Sequence, residues 1–179
     1  MSSYKIYPIV FCLALLSSGC GFRPLYAPPL EDQNGQSIYA FDILKKVSID
    51  SIPNREGQYF RNKLTQLLHP AGRNGEALYV LQITLHEATQ NLAVKRTPIA
   101  TRANLTITAN FNLITIGSEK NDKSGMVRSS SGYNIFQSEF QTLLAEKGAR
   151  NRALDDLAQQ MRIRLAAILT SNEANTTKP

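Results

Sequence analysis

Residues 102–113 read Arg102-Ala103-Asn104-Leu105-Thr106-Ile107-Thr108-Ala109-Asn110-Phe111-Asn112-Leu113. Apolar and polar side chains alternate without a break, the period-two pattern of a strand with one covered face. Ala103, Leu105, Ile107, Ala109, Phe111 and Leu113 point to a core. Arg102, Asn104, Thr106, Thr108, Asn110 and Asn112 point away from it. Carried on to Ile116, the strand would reach about 50 Å at ~3.3 Å per residue. The usual strand has about five or six residues, so a bend or bulge is expected. The Thr- and Asn-rich face suits water or a partner, and Asn104, Thr106, Thr108 and Asn110 are its candidate contact residues.

The neighbouring stretches build outward from this strand. Residues 117–125 (GSEKNDKSG) read as a hairpin loop. Met126 to Ile135 then forms a serine-rich strand suited to a sheet edge. Upstream, Leu78 to Glu87 puts Tyr79, Leu81, Ile83 and Leu85 on one face. The connection from Gln90 to Ala100 carries Lys95, Arg96 and Pro98. Lys45 to Ile52 gives a first strand. Asn54 offers a helix N-cap, with Glu56 in the first turn and Phe60, Leu64, Leu67 and Leu68 at helical spacing. The proline after His69 ends that helix.

A long helix closes the chain. Ser138 and Gln141 make a capping-box pattern. An apolar stripe runs from Phe140, Leu143 and Leu144 through Leu154, Leu157, Ala158, Met161, Leu165 and Ile168. Residues 171–179 read as a disordered polar tail. The order β-α-β-β-β-α predicts a two-layer α+β sandwich, a four-stranded sheet with both helices on one face.

Before the domain, Lys5 precedes an apolar run from Ile6 to Leu16, and Ser17, Ser18 and Gly19 lead to Cys20. A positive end, a short apolar run and small residues mark an export signal over 1–19. The run is too short to span a ~30 Å hydrocarbon core. Cys20 is then the acylated first residue of a lipoprotein. An ordinary signal with an incidental cysteine is the competing reading, because Ser17 stands where lipoprotein signals prefer a branched aliphatic. Residues 20–44, with Pro24, Pro28 and Pro29, read as a lipidated tether, and 45–170 as the domain. Loss of the signal removes Cys12, so no disulfide is expected.

Of the 179 residues, 42% are hydrophobic and 19% charged, as in a globular protein. Net charge is +6, and losing the signal removes one cation, Lys5, and no acid, leaving +5. Outside the cytoplasm such a balance favours an anionic lipid or polymer, or serves solubility alone.

Nothing in the chain reads as an enzyme. His69 and His86 are the only histidines, and His86 and Glu87 point to opposite faces of their strand. The sequence has no nucleophile elbow, phosphate-cradling glycine loop or zinc spacing. Asp155 and Asp156 read as a solvated helix face. No cofactor or metal is expected beyond the covalent lipid on Cys20. Nucleic acid is disfavoured, since there is no Trp and no aromatic on the polar strand face. What remains is basic residues near strand ends. Lys95, Arg96 and Arg102 flank one connection, and Lys120, Lys123 and Arg128 lie near the other. Such groups pair with phosphates or carboxylates, or simply keep a loop soluble.

Four stretches carry a resemblance: Cys20-Gly21-Phe22-Arg23-Pro24-Leu25-Tyr26, Ile52-Pro53-Asn54-Arg55-Glu56-Gly57-Gln58, Ala100-Thr101-Arg102-Ala103-Asn104-Leu105-Thr106 and Ala149-Arg150-Asn151-Arg152-Ala153-Leu154. In this order the chain resembles the lipopolysaccharide-assembly lipoproteins of the LptE family. The resemblance implies a non-enzymatic lipoprotein, anchored by its lipid on the periplasmic side of the outer membrane. Gly21 agrees, since an aspartate there commonly marks inner-membrane retention. It also implies a protein that plugs and helps assemble an LptD-type β-barrel and binds lipopolysaccharide on its way to the outer leaflet. Lys95, Arg96 and Arg102 are then candidates to meet lipid phosphates. A free periplasm-facing lipoprotein that binds another anionic envelope lipid or polymer is the alternative.

Overall fold

The computed structural model describes residues 30–31, 37–38, 40–70, 72, 75–92 and 102–176. In chain order its elements are β1 (Leu30–Glu31), β2 (Ser37–Ile38), α1 (Ala40–Leu44), β3 (Val47–Ile49), α2 (Asn54–Leu68), β4 (Tyr79–Leu92), β5 (Arg102–Thr115), β6 (Ser118–Asn134) and α3 (Glu139–Thr176). β1 and β2 form a separate antiparallel pair. The other four strands make one mixed sheet in the order β3-β4-β5-β6, parallel between β3 and β4 and antiparallel elsewhere. The expected α+β architecture is the one observed.

β5 is the spine of that sheet. Its six apolar side chains from Ala103 to Leu113 are all buried. Burying each Leu, Ile or Phe contributes about 1.5–3 kcal/mol. The ladder with β4 is regular from Leu92↔Arg102 to Tyr79↔Thr115. The anticipated irregularity lies at the other partner, where the β6 register shifts between Leu113 and Thr115.

β6 has 17 residues and starts well before the strand expected from Met126. The loop expected over 117–125 is instead a tight turn at Ile116 and Gly117, with Thr115 already paired to Ser118. Gly117 takes φ +84°, the left-handed conformation such hairpins need and glycine adopts freely. The polar run after it forms edge strand; Asp122, Lys123 and Ser124 are exposed in succession, so both faces there meet water and no alternation is required.

α2 begins as the sequence indicates, but without the expected asparagine cap. Pro53 holds the N-cap position and makes no side-chain cap bond, while Asn54 takes φ 70°. The helix buries Gly57, Phe60, Leu64 and Leu68. Gly57 has no room for a side chain: a Cβ would stand 2.6 Å from Ile52 Cγ2 and 2.9 Å from its carbonyl oxygen.

α3 has 38 residues, about 57 Å at 1.5 Å per residue, and lies along β5 and β6 with α2 beside it. The Ser138 cap is present, with Gln141 N–H donating to its Oγ at 3.5 Å. The buried stripe starts at Ala149 and runs through Leu154, Leu157, Met161, Leu165 and Leu169. Phe140, Leu143 and Leu144 do not belong to it; they are 67%, 60% and 52% exposed. At the other end the helix continues to Thr176, where a disordered tail was expected to begin at 171.

The core also starts earlier than residue 45. Ile43 and Leu44 of α1 are buried, and α1 packs on α3. The last residues assigned to the tether are therefore core. The expected signal (1–19), Cys20, and the Lys95–Arg96 connection lie outside the described residues.

Candidate functional site

The helices cover one face of the sheet and leave the other open. On the open face the pleat brings three strands into register. One row is His86, Thr108 and Arg128; the next is Ala88, Thr106 and Ser130; then Gln90, Asn104 and Gly132; then Leu92, Arg102 and Asn134. Asn110 lies between Thr84 and Met126. Thr106 and Ser130 share a hydroxyl–hydroxyl hydrogen bond of 2.8 Å, a cross-strand pair of the kind that steadies a sheet. Across the paired positions from Gln82 to Leu92, Arg102 to Asn112 and Ser124 to Asn134, this face carries no acid.

The candidates Arg102, Asn104, Thr106, Thr108 and Asn110 thus share one surface. Arg102 opens β5, and its guanidinium lies over Gly132, where a Cβ would approach Nη2 to 3.2 Å. A glycine at that place gives the arginine its channel across the strand. Leu92, beside Arg102, is exposed. One end of the open face therefore combines a cation with apolar surface.

Arg128 is the residue that sequence spacing left out of the candidate set. It falls on the strand expected from Met126 to Ile135, whose serine-rich run has too little alternation to fix its side. Pairing with Thr108 places it in the middle rows of the open face. His86 lies in the same row and faces outward as its strand pattern indicates.

Four acids on the helix side, Glu87, Glu146, Asp155 and Asp156, are engaged there. Arg150 on α3 donates from Nε and Nη2 to the two carboxylate oxygens of Glu87, both at 2.7 Å, and from Nη2 to Glu146 at 2.6 Å. Glu87 first, and Glu146 with it, hold the guanidinium well above its ordinary pKa, against the opposing effect of burial. Asp155 accepts from the Tyr59 hydroxyl at 3.1 Å and pairs with Lys63 at 3.4 Å. Burial first, then the Asp155 carboxylate, raises the Tyr59 pKa. Asp156 accepts from buried Ser129 at 2.7 Å and from Gln160 at 2.8 Å. Asp155 and Asp156 are thus not a merely solvated face; they tie α3 to α2 and to β6. Among the described residues no group of three metal-ligating side chains comes together. Nor is any described helix long and apolar enough to cross a membrane.

This arrangement can present hydrogen-bonding groups and a few cations over a broad flat area. Nothing in it brings a nucleophile, a base and an electrophilic pocket together.

Comparison with known proteins agrees with the topology. No curated protein matches the sequence. Two solved structures share the fold: a candidate lipoprotein from Caulobacter crescentus CB15 at 20% identity and TM-score 0.57, covering 73% of this chain and 96% of that one, and a minor lipoprotein from Acinetobacter baumannii at 22% identity and TM-score 0.57, covering 69% and 92%. The family model for LptE, lipopolysaccharide-assembly, matches residues 44–165, from the end of α1 through most of α3. The chain belongs to the LptE family of lipopolysaccharide-assembly proteins.

Proposed function

We propose that this protein is the lipid-anchored partner of an LptD-type outer-membrane β-barrel, seated in the barrel as a plug and binding lipopolysaccharide in transit. The observation that carries the reading is the open sheet face, free of acid along its rows from Asn112 to Arg102. Barrel lumens are polar, and a broad surface of Asn104, Thr106, Thr108 and Asn110 suits such a wall better than it suits lipid. The family match supports the assembly role.

The lipid anchor on Cys20 holds the domain on the periplasmic side of the outer membrane. One acyl chain anchors marginally at about 0.8 kcal/mol per buried CH₂, and several make the attachment stable. Arg102, with Lys95 and Arg96 of the same connection, meets the lipid phosphates through charge-assisted hydrogen bonds. Exposed Leu92 next to Arg102 suits an anionic amphiphile, which presents charge and hydrocarbon together. The protein acts by binding and positioning, not by catalysis.

The test is combined charge reversal, Lys95→Glu, Arg96→Glu and Arg102→Glu, with binding of purified lipopolysaccharide as the readout. Loss of at least tenfold in affinity in a folded variant is the expected result. Undiminished binding overturns the assignment of these three residues.

A further inference from the structure

Among the described residues, β4 is paired on one side along its whole length and on the other only at its start. β3 pairs with Tyr79, Val80 and Leu81 and goes no further. Asp50 N–H donates to Leu81 O at 3.0 Å, and Ile116 N–H donates to Leu78 O at 2.9 Å from the opposite side. These two bonds fix the parity of the strand. Backbone groups of even residues face β5, and those of odd residues face the outer edge. Ile83, Leu85, Glu87, Thr89 and Asn91 therefore turn N–H and C=O groups outward, with no partner strand among the described residues.

Such an edge is a template for another strand, and folded proteins usually blunt it with proline, lysine or a bulge. From Ile83 to Asn91 there is no proline, no lysine and no register shift. Where β3 ends, a cleft of about 430 Å³ opens beside the edge. Its floor includes Ile52, Ile83 and Leu85, and its rim Glu56, Glu87 and Arg150. Arg150 is already bound by Glu87 and Glu146. The two rim carboxylates, Glu56 and Glu87, with Glu146 on the far side of Arg150, against one guanidinium leave this place with an excess of negative charge.

We infer that the β4 edge accepts an extended segment of a partner polypeptide, added as a fifth strand in the line that β3 abandons. Side chains two apart on the added strand fall on the covered side of the sheet. One sits over the Ile52, Ile83 and Leu85 floor and is apolar. The next in the same row meets Glu87 and Glu146 and is basic. The recognised chemistry is an apolar residue and a lysine or arginine two positions apart in an otherwise β-compatible segment. Backbone bonds supply affinity and these two side chains the selectivity. This site is separate from the open face and does not depend on lipid or barrel binding there.

The test uses the full chain and a synthetic nine-residue peptide of threonine, with one valine and one lysine two positions apart. Amide hydrogen exchange is read residue by residue. Without peptide the odd amides from Ile83 to Asn91 exchange faster than the even ones held by β5. Saturable peptide binding that slows the odd amides at least tenfold is the expected result. Thr89→Pro and Asn91→Pro each delete only an outward N–H, which an edge strand tolerates. Each should weaken binding at least tenfold with unchanged far-UV circular dichroism. Peptide binding without that protection, or binding untouched in both folded proline variants, overturns the inference. So does odd-amide protection that grows with protein concentration in the absence of peptide, which would give the edge to a second copy of the chain.

Discussion

Ser129 Oγ donates a 2.7 Å hydrogen bond to Asp156 Oδ2, joining the edge strand β6 to the middle of α3. Ser129 is 4% exposed and the only buried polar side chain among the described residues. Across the strand pair it faces apolar Ile107, and the carboxylate is the partner its hydroxyl bonds. Asp156→Ala strands it and should cost about 1–3 kcal/mol. Adding Ser129→Ala to that variant should restore part of the loss, because no hydroxyl is then left without a partner. Urea unfolding of the two single variants and the double variant checks this. Strict additivity would show that the bond carries no coupling.

Gly57 is a second test of packing. Alanine is the better helix former by about 1 kcal/mol, so propensity alone predicts stabilisation. The structure predicts the reverse, since the new Cβ would meet Ile52 Cγ2 at 2.6 Å and backbone at 2.9 Å. Gly57→Ala should destabilise by about 1–3 kcal/mol through overpacking, seen as a lower urea midpoint.

The two ends of α3 should respond differently. Leu157→Ala empties a fully buried position and should cost about 2–5 kcal/mol. Leu143→Gln, at an exposed site on the same helix, should stay within about 0.5 kcal/mol. Thermal unfolding distinguishes them in one experiment.

That contrast shows where the sequence was informative. Leu143 and Leu157 have the same chemistry and the same helical spacing, and periodicity cannot say where the partner surface stops. β5 was legible because its alternation is strict over a dozen residues. Ile43 and Leu44 escaped notice because α1 is one turn long, too short for a period to show. The first half of β6 read as loop because an edge strand in water on both faces needs no apolar row. Arg128 lay on the strand expected from Met126, but the serines around it left its face unassigned. The open face itself was visible in Asn104, Thr106, Thr108 and Asn110, since the covered side of β5 fixed the other side by alternation.

Alkaline pH should weaken the fold through two tyrosines. Burial first raises the pKa of both Tyr59 and Tyr133 above the ordinary 10.0; the Asp155 hydrogen bond adds to the rise in Tyr59 and the Glu146 charge to that in Tyr133. The folded chain therefore holds these protons more tightly than the unfolded one. The stabilisation is complete below pH 10 and is lost as pH rises through the folded-state values, because the folded state binds more protons there. Tyr59→Phe and Tyr133→Phe should each flatten the fall in stability above pH 10 relative to the parent. Urea unfolding at pH 8 and pH 11 gives the comparison.

The central claim is that the open sheet face meets the wall of a β-barrel. The most direct measurement places a photocrosslinking amino acid at Thr108, in the middle of that face, and purifies the full lipid-anchored protein from extracted membranes. The account predicts that a large outer-membrane β-barrel copurifies in stoichiometric amount and crosslinks from Thr108. Purification without a barrel, or a copurified barrel that Thr108 never crosslinks, would contradict it.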